Sequence, residues 1–96
     1  MNIDVIKNEN EVTLKLAGRL DANTAPALDK CVNEEVNGAT NLTVDLSLVE
    51  YVSSAGLRVL LSAQKKFGDG LKIKGVQESV MQVFEITGFC DILNIE

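Results

Sequence analysis

Three segments of this chain alternate between apolar and polar side chains, and that period of two constrains the fold more than any other feature. In "EVTLKLAG", Val12, Leu14 and Leu16 alternate with Thr13, Lys15 and Ala17. In "NLTVDLS", Leu42, Val44 and Leu46 alternate with Thr43, Asp45 and Ser47, and in "LKIKG", Leu71 and Ile73 alternate with Lys72 and Lys74. Successive side chains of a strand point to opposite faces, so each segment reads as a strand with one buried and one wetted face. Parallel sheets covered on both sides read instead as unbroken apolar runs. The helices are therefore expected mainly on one side of the sheet. "NIDVIKNEN" is the expected first strand, paired to the second through a turn near Asn8–Asn10. The third strand is expected to end near Ser47, with "LVEYV" crossing over to the next helix.

The intervening segments repeat at helical spacing. Ala25, Leu28, Val32 and Val36 mark a first helix, with Thr24 as its expected N-cap and Pro26 in its first turn. Leu57, Leu60, Leu61, Gln64 and Phe67 mark a second, stopped by Gly68, with Asp69-Gly70 as a turn. Val76, Val80, Val83, Phe84 and Thr87 mark a third, closed by Gly88. The order β-β-α-β-α-β-α, with a short final element at Asp91–Ile95, defines an α/β two-layer domain. Its mixed sheet should have four to five strands. At 96 residues, with no linker, repeat or low-complexity stretch, a single domain over 1–96 is expected.

Composition excludes several kinds of chemistry. The chain has no His, which removes histidine general bases and histidine metal ligands. Cys31 and Cys90 are far apart, form no C-x-x-C pair and read as structural thiols in apolar settings. No Walker motif occurs, because Gly68, Gly70 and Gly75 lack its spacing. No metal site, no cofactor and no self-contained enzyme are expected. A net charge of −5 argues against nucleic acid and anionic lipid as partners and for a partner with a positive surface. No apolar run approaches the roughly 18 residues of a membrane span. "MNIDVIKNEN" lacks the layout of a signal peptide, so a cytoplasmic location is expected.

Against this background "VSSAGLRVLL", Val52–Leu61, is the segment that asks for a function. Ser53 and Ser54 lie past a strand's carboxyl end, where a helix starts. Free backbone N–H groups and the positive end of the helix dipole favour negative charge there. A serine at that place is either an N-cap or an acceptor for a phosphate carrying about −1.5 to −2 charges. A catalytic serine would need a base, and without His only Lys or a carboxylate is left.

"DLSLVEYVSSAGLRVLL", Asp45–Leu61, resembles the signature of STAS domains, the anti-sigma factor antagonist family. "LAGRLDANTAPAL" is similar to that family's strand-two-to-first-helix segment, and "GVQESVMQVFEITGFCDILNI" to its last helix and tail. The resemblance implies a phosphorylation-switched interaction module. Such a module binds an anti-sigma factor that is also a serine kinase of the GHKL type, and so frees a sigma factor. The kinase then phosphorylates a serine at this helix start, which ends binding, and a serine phosphatase resets it. Family members typically read Asp-Ser-Ser/Thr-Gly-Leu with the first hydroxyl phosphorylated. Alignment on Gly56-Leu57 puts Ser54 at that position, Ser53 where the acid usually stands and Ala55 in place of the second hydroxyl. Ser54 is the expected phosphorylation site and Ser53 its competitor. The expected partner-binding residues are Asp21, Ser53, Ser54, Gly56, Leu57 and Arg58. Asp21 matches the aspartate of a "G-x-L-D" segment, which also reads as a turn or capping residue. Asp45 reads as a solvated-face or loop-anchoring residue. The alternative is a STAS scaffold in another signalling or transport-linked complex, with or without phosphorylation.

Overall fold

In a computed structural model, which describes residues 1–36 and 38–96, the alternating segments become adjacent strands. β1 (Asn2–Asn8), β2 (Glu11–Leu20), β3 (Asn41–Val52) and β4 (Leu71–Lys74) form a four-stranded sheet in the order β1-β2-β3-β4. β1 pairs antiparallel with β2 across the Glu9-Asn10 connection, and β3 is parallel to both β2 and β4. Each parallel connection carries a helix. α1 (Ala25–Lys30) continues into a π-helical turn (Cys31–Glu35) between β2 and β3, and α2 (Ser54–Phe67) joins β3 to β4. α3 (Glu78–Thr87) follows β4, and the tail returns along that strand's free edge through an Ile73–Ile95 bridge.

The helices cover one face. Val12, Leu14, Leu16, Leu42, Val44, Leu46, Leu71 and Ile73 share one core with Leu28 and Val32, with Leu57, Leu60 and Ala63 of α2, and with Val80 and Phe84 of α3. Their neighbours Thr13, Lys15, Asp45, Lys72 and Lys74 point the other way and remain wholly or partly exposed. On that open face, Asp4, Lys15, Asp45 and Lys74 lie opposite one another in register, one on each strand, with alternating sign. Opposite charges across neighbouring strands attract, so this row supports the register.

β3 is longer than the alternation predicts. It does not end near Ser47 but runs to Val52, so "LVEYV" is strand rather than crossover. Pairing with β2 shifts between Lys15 and Ala17 and again between Gly18 and Arg19, where β3 carries the extra residues. A bulge breaks the period of two without ending the ladder, and that hides the strand's second half from a periodicity argument. The Asp45 carboxylate accepts the Ser47 N–H at 2.9 Å and fixes the first bulge. Asp45, expected on the solvated face or anchoring a loop, thus stands on the open face and anchors backbone within the strand itself. Gly75 closes over the same place with φ +70°. A Cβ there would fall 2.9 Å from Ser47 Cβ and 3.0 Å from Asp45 Oδ1, so glycine alone fits.

Thr24 stands at the expected cap position of α1 but makes no capping bond. Its hydroxyl is already used, accepting the Asp21 N–H at 2.9 Å and donating to the Arg19 carbonyl at 2.7 Å. Pro26 lies in the first turn as expected.

Candidate functional site

The site forms where the end of β2 meets the start of α2. Leu20 pairs with Val52, and the Ser53 N–H donates to the Leu20 carbonyl at 2.8 Å. The next residues of the two strands, Asp21 and Ser53-Ser54, therefore emerge side by side. Asp21 is locked in place. Its Oδ1 accepts the N–H groups of Asn23 at 3.0 Å and Thr24 at 3.2 Å, and its Oδ2 lies 3.8 Å from Arg19 Nε. The Asn23 N–H above all holds its carboxyl below the usual carboxylate range, with help from Thr24 and Arg19. Arg19 in turn stacks over the Tyr51 ring at 4.2 Å.

The two serines have different surroundings. Ser53 is the N-cap of α2, with extended backbone (φ −92°, ψ 175°), and its hydroxyl accepts the Gly56 N–H at 3.5 Å. Its carbonyl accepts the Leu57 N–H at 2.9 Å, the first bond of the helix. Ser54 is the first helical residue and is exposed, and among the described residues its hydroxyl has no hydrogen-bond partner. No acidic residue occupies the first turn of α2, while Lys65 and Lys66 sit in its last, so added negative charge at Ser54 meets the favourable end of the dipole.

Gly56 and Leu57 do not join this surface. Both are buried, Leu57 with 6% of its surface exposed. A Cβ on Gly56 would lie 2.6 Å from Leu20 Cγ and 3.0 Å from the Leu20 carbonyl oxygen. Gly56 thus packs against the chain's own β2, and the expectation that Gly56 and Leu57 are partner-binding residues is corrected. Their place is taken by a surface of which sequence reasoning named only Arg58 as a contact residue. Ala22, Pro26 and Asp29 on one side, and Ala55, Arg58 and Ser62 on the other, line an open groove of about 370 Å³ between α1 and α2. Of the expected contact residues, Ser54 and Arg58 are exposed and Asp21 and Ser53 half-buried.

Elsewhere the chemistry is quiet. Cys31 and Cys90 are free and half-buried, and burial, with Glu35 and Glu34 nearby, pushes the Cys31 thiol above its ordinary pKa. Among the described residues, no helix is long and apolar enough to cross a membrane.

Comparison with known proteins agrees with this geometry. The family described as "Mlab, STAS domain" matches residues 3–94. The chain is 37% identical over 99 aligned positions to an anti-sigma-B factor antagonist of Bacillus subtilis, covering 99% of this chain and 90% of that protein. It is 32% identical over 103 positions to an anti-sigma-B factor antagonist of Listeria monocytogenes, covering 100% and 90%. Among solved structures, an anti-sigma factor antagonist from Mycobacterium paratuberculosis superposes with a TM-score of 0.87 at 25% identity, over 98% of this chain and 83% of that one. With its mixed sheet, one-sided helices and serine-bearing start of α2, the chain belongs to the STAS-domain family.

Proposed function

We propose that this protein is an anti-sigma factor antagonist, binding an anti-sigma factor through the surface around Ser54 and losing that binding when Ser54 is phosphorylated. The observation that carries the reading is the exposed, unengaged Ser54 hydroxyl on the first residue of α2, beside the fixed Asp21 carboxylate and the α1–α2 groove. The names of its relatives in Bacillus and Listeria support the same partner class. Ser54 is the better acceptor of the pair, because the Ser53 hydroxyl is half-buried and already used as a cap. The anti-sigma factor acts as the kinase, of the GHKL type, and a serine phosphatase restores the hydroxyl. The protein itself works as a cytoplasmic interaction module rather than a catalyst.

The switch is electrostatic and steric. A phosphoserine adds about −1.5 to −2 charges at neutral pH. On docking, that dianion must leave water and face whatever acidic groups the partner presents. Leaving one charge buried and unpaired typically costs about 2–5 kcal/mol, roughly 30- to 5000-fold in affinity. No change of fold is needed, because the helix start accommodates the charge.

The test measures binding of the unmodified chain, Ser54→Ala and Ser54→Asp to the anti-sigma factor of its own cell, together with phosphopeptide mapping after incubation with ATP. Ser54→Ala should bind like the unmodified chain and accept no phosphate. Ser54→Asp should bind roughly 30-fold more weakly while keeping its thermal stability. Equal affinity of all three proteins would overturn the switch, and phosphate mapped to Ser53 would overturn the choice of acceptor.

A further inference from the structure

Arg58 lies four residues beyond Ser54 on α2, one helical turn away. Side chains of a helix lean toward its N-terminus, and residues i and i+4 have Cβ atoms roughly 5–6 Å apart. The surface over Ser54 is therefore the surface that a long side chain at position 58 covers. Arg58 is exposed and is the one cation among the residues lining the α1–α2 groove. Among the described residues its guanidinium has no ion-pair partner. The other arginine at this end of the molecule, Arg19, is occupied by Asp21 and the Tyr51 ring. Lys65 and Lys66 lie at the far end of the helix.

We propose that a phosphate on Ser54 is taken by Arg58 of the same helix. Phosphorylation then does two things at once: it adds a dianion and withdraws the groove's one lining cation from any partner. The inference rests on Ser54 being the modified residue and names the group that responds to it. A guanidinium can present two parallel N–H donors to phosphate oxygens, a geometry that an ammonium lacks. The acidic groups around the site favour this pairing over others. Asp29 stands on the groove wall opposite Arg58, and Asp21 flanks the helix start, so both repel the phosphate. A partner that sets a carboxylate against Arg58 in the unmodified protein finds that contact already satisfied after phosphorylation.

The experiment uses the full chain with phosphoserine installed at position 54 by genetic encoding, and it follows the phosphate by phosphorus NMR as pH is varied. Three proteins are compared at low salt: wild type, Arg58→Lys and Arg58→Ala. The second pKa of phosphoserine is ordinarily about 6. Asp21, Asp29 and the free N–H groups of α2 act alike in all three proteins, so differences report position 58. The wild-type value should lie about 0.1–0.4 unit below that of Arg58→Ala, with Arg58→Lys between them. The Arg58 Nε–H resonance should move with the same titration. Equal pKa values in wild type and Arg58→Ala, with a stationary Nε–H signal, would overturn the proposal. Because the phosphate is installed rather than added by a kinase, this outcome is separate from whether cells phosphorylate Ser54. Failure to find phosphate in cells would count against the proposed function and leave the titration result standing.

Discussion

The tightest packing at the site is between a glycine and a leucine. Gly56 sits in the first turn of α2 so close to Leu20 that a methyl group would lie 2.6 Å from Leu20 Cγ. Leu20 has no exposed surface and cannot swing aside, and its carbonyl oxygen, 3.0 Å from the same point, belongs to the backbone. Alanine in a helix is ordinarily better than glycine by about 1 kcal/mol. Here overpacking, typically about 1–3 kcal/mol, should exceed that gain. Gly56→Ala should therefore lower the urea midpoint of unfolding despite its better helix propensity, and a raised midpoint would mean that α2 and β2 can separate freely. The sequence does not show what lies against Gly56, because Leu20 and Gly56 meet only through the pairing of β2 with β3. Leu57 teaches the same lesson. Its helical spacing with Leu60 is visible in the sequence, yet which face of the helix start stays wet depends on where the sheet lies.

At the level of the strands, the core face was legible because each buried residue alternates with a polar one: Leu14 and Leu16 in β2, Leu42, Val44 and Leu46 in β3, and Leu71 and Ile73 in β4. The second half of β3 was not. After Leu46 the exposed residues are Ser47, Leu48, Glu50 and Tyr51, and the buried ones Val49 and Val52, so the period of two is lost. The bulge that produces it turns Leu48 outward, leaving it 69% exposed. Asp45 holds that bulge, and the Ser47 N–H above all keeps its carboxyl below the ordinary range, assisted by Lys74 and Lys15 across the neighbouring strands. A carboxyl with a depressed folded-state pKa stabilises the fold fully above its unfolded value, near 3.8. It loses that contribution as pH falls through the folded value. Asp45→Asn should thus be less stable than wild type at pH 7. The difference should narrow as pH drops from about 5 to below 3. A gap that stays constant over that range would mean that the Asp45 charge contributes nothing to stability.

Across the whole molecule, stability depends on one core shared by the three helices and one sheet face. Phe84 of α3 is fully buried in it, on the helix that packs against β3. A domain of this size has on the order of 5–14 kcal/mol of stability. Removing a buried aromatic ring costs about 3–5 kcal/mol. Phe84→Ala should therefore leave a marginal protein with a sharply lowered melting temperature, while Ser54→Asp, on the surface, should leave melting nearly unchanged. Similar losses from both would place Ser54 inside the packed core. The contrast shows why the site can be modified safely: its charged and hydroxyl groups face water, while the glycine and leucines beneath it hold the helix to the sheet.

The order of elements, the single helical layer and the pair of hydroxyls at the start of α2 are fixed by local periodicity and capping chemistry, which act over a few residues and are therefore written in the sequence. Three other features arise only when segments distant in the chain come together. The first is the extension of β3 to Val52, which depends on how β2 tolerates extra residues opposite it. The second is the burial of Gly56 and Leu57 against β2. The third is the groove between Asp29 and Arg58, which exists because α1 and α2 lie side by side on the same face. Local preference decides what each segment becomes; the packing of non-neighbouring segments decides which of its side chains are left for a partner to touch.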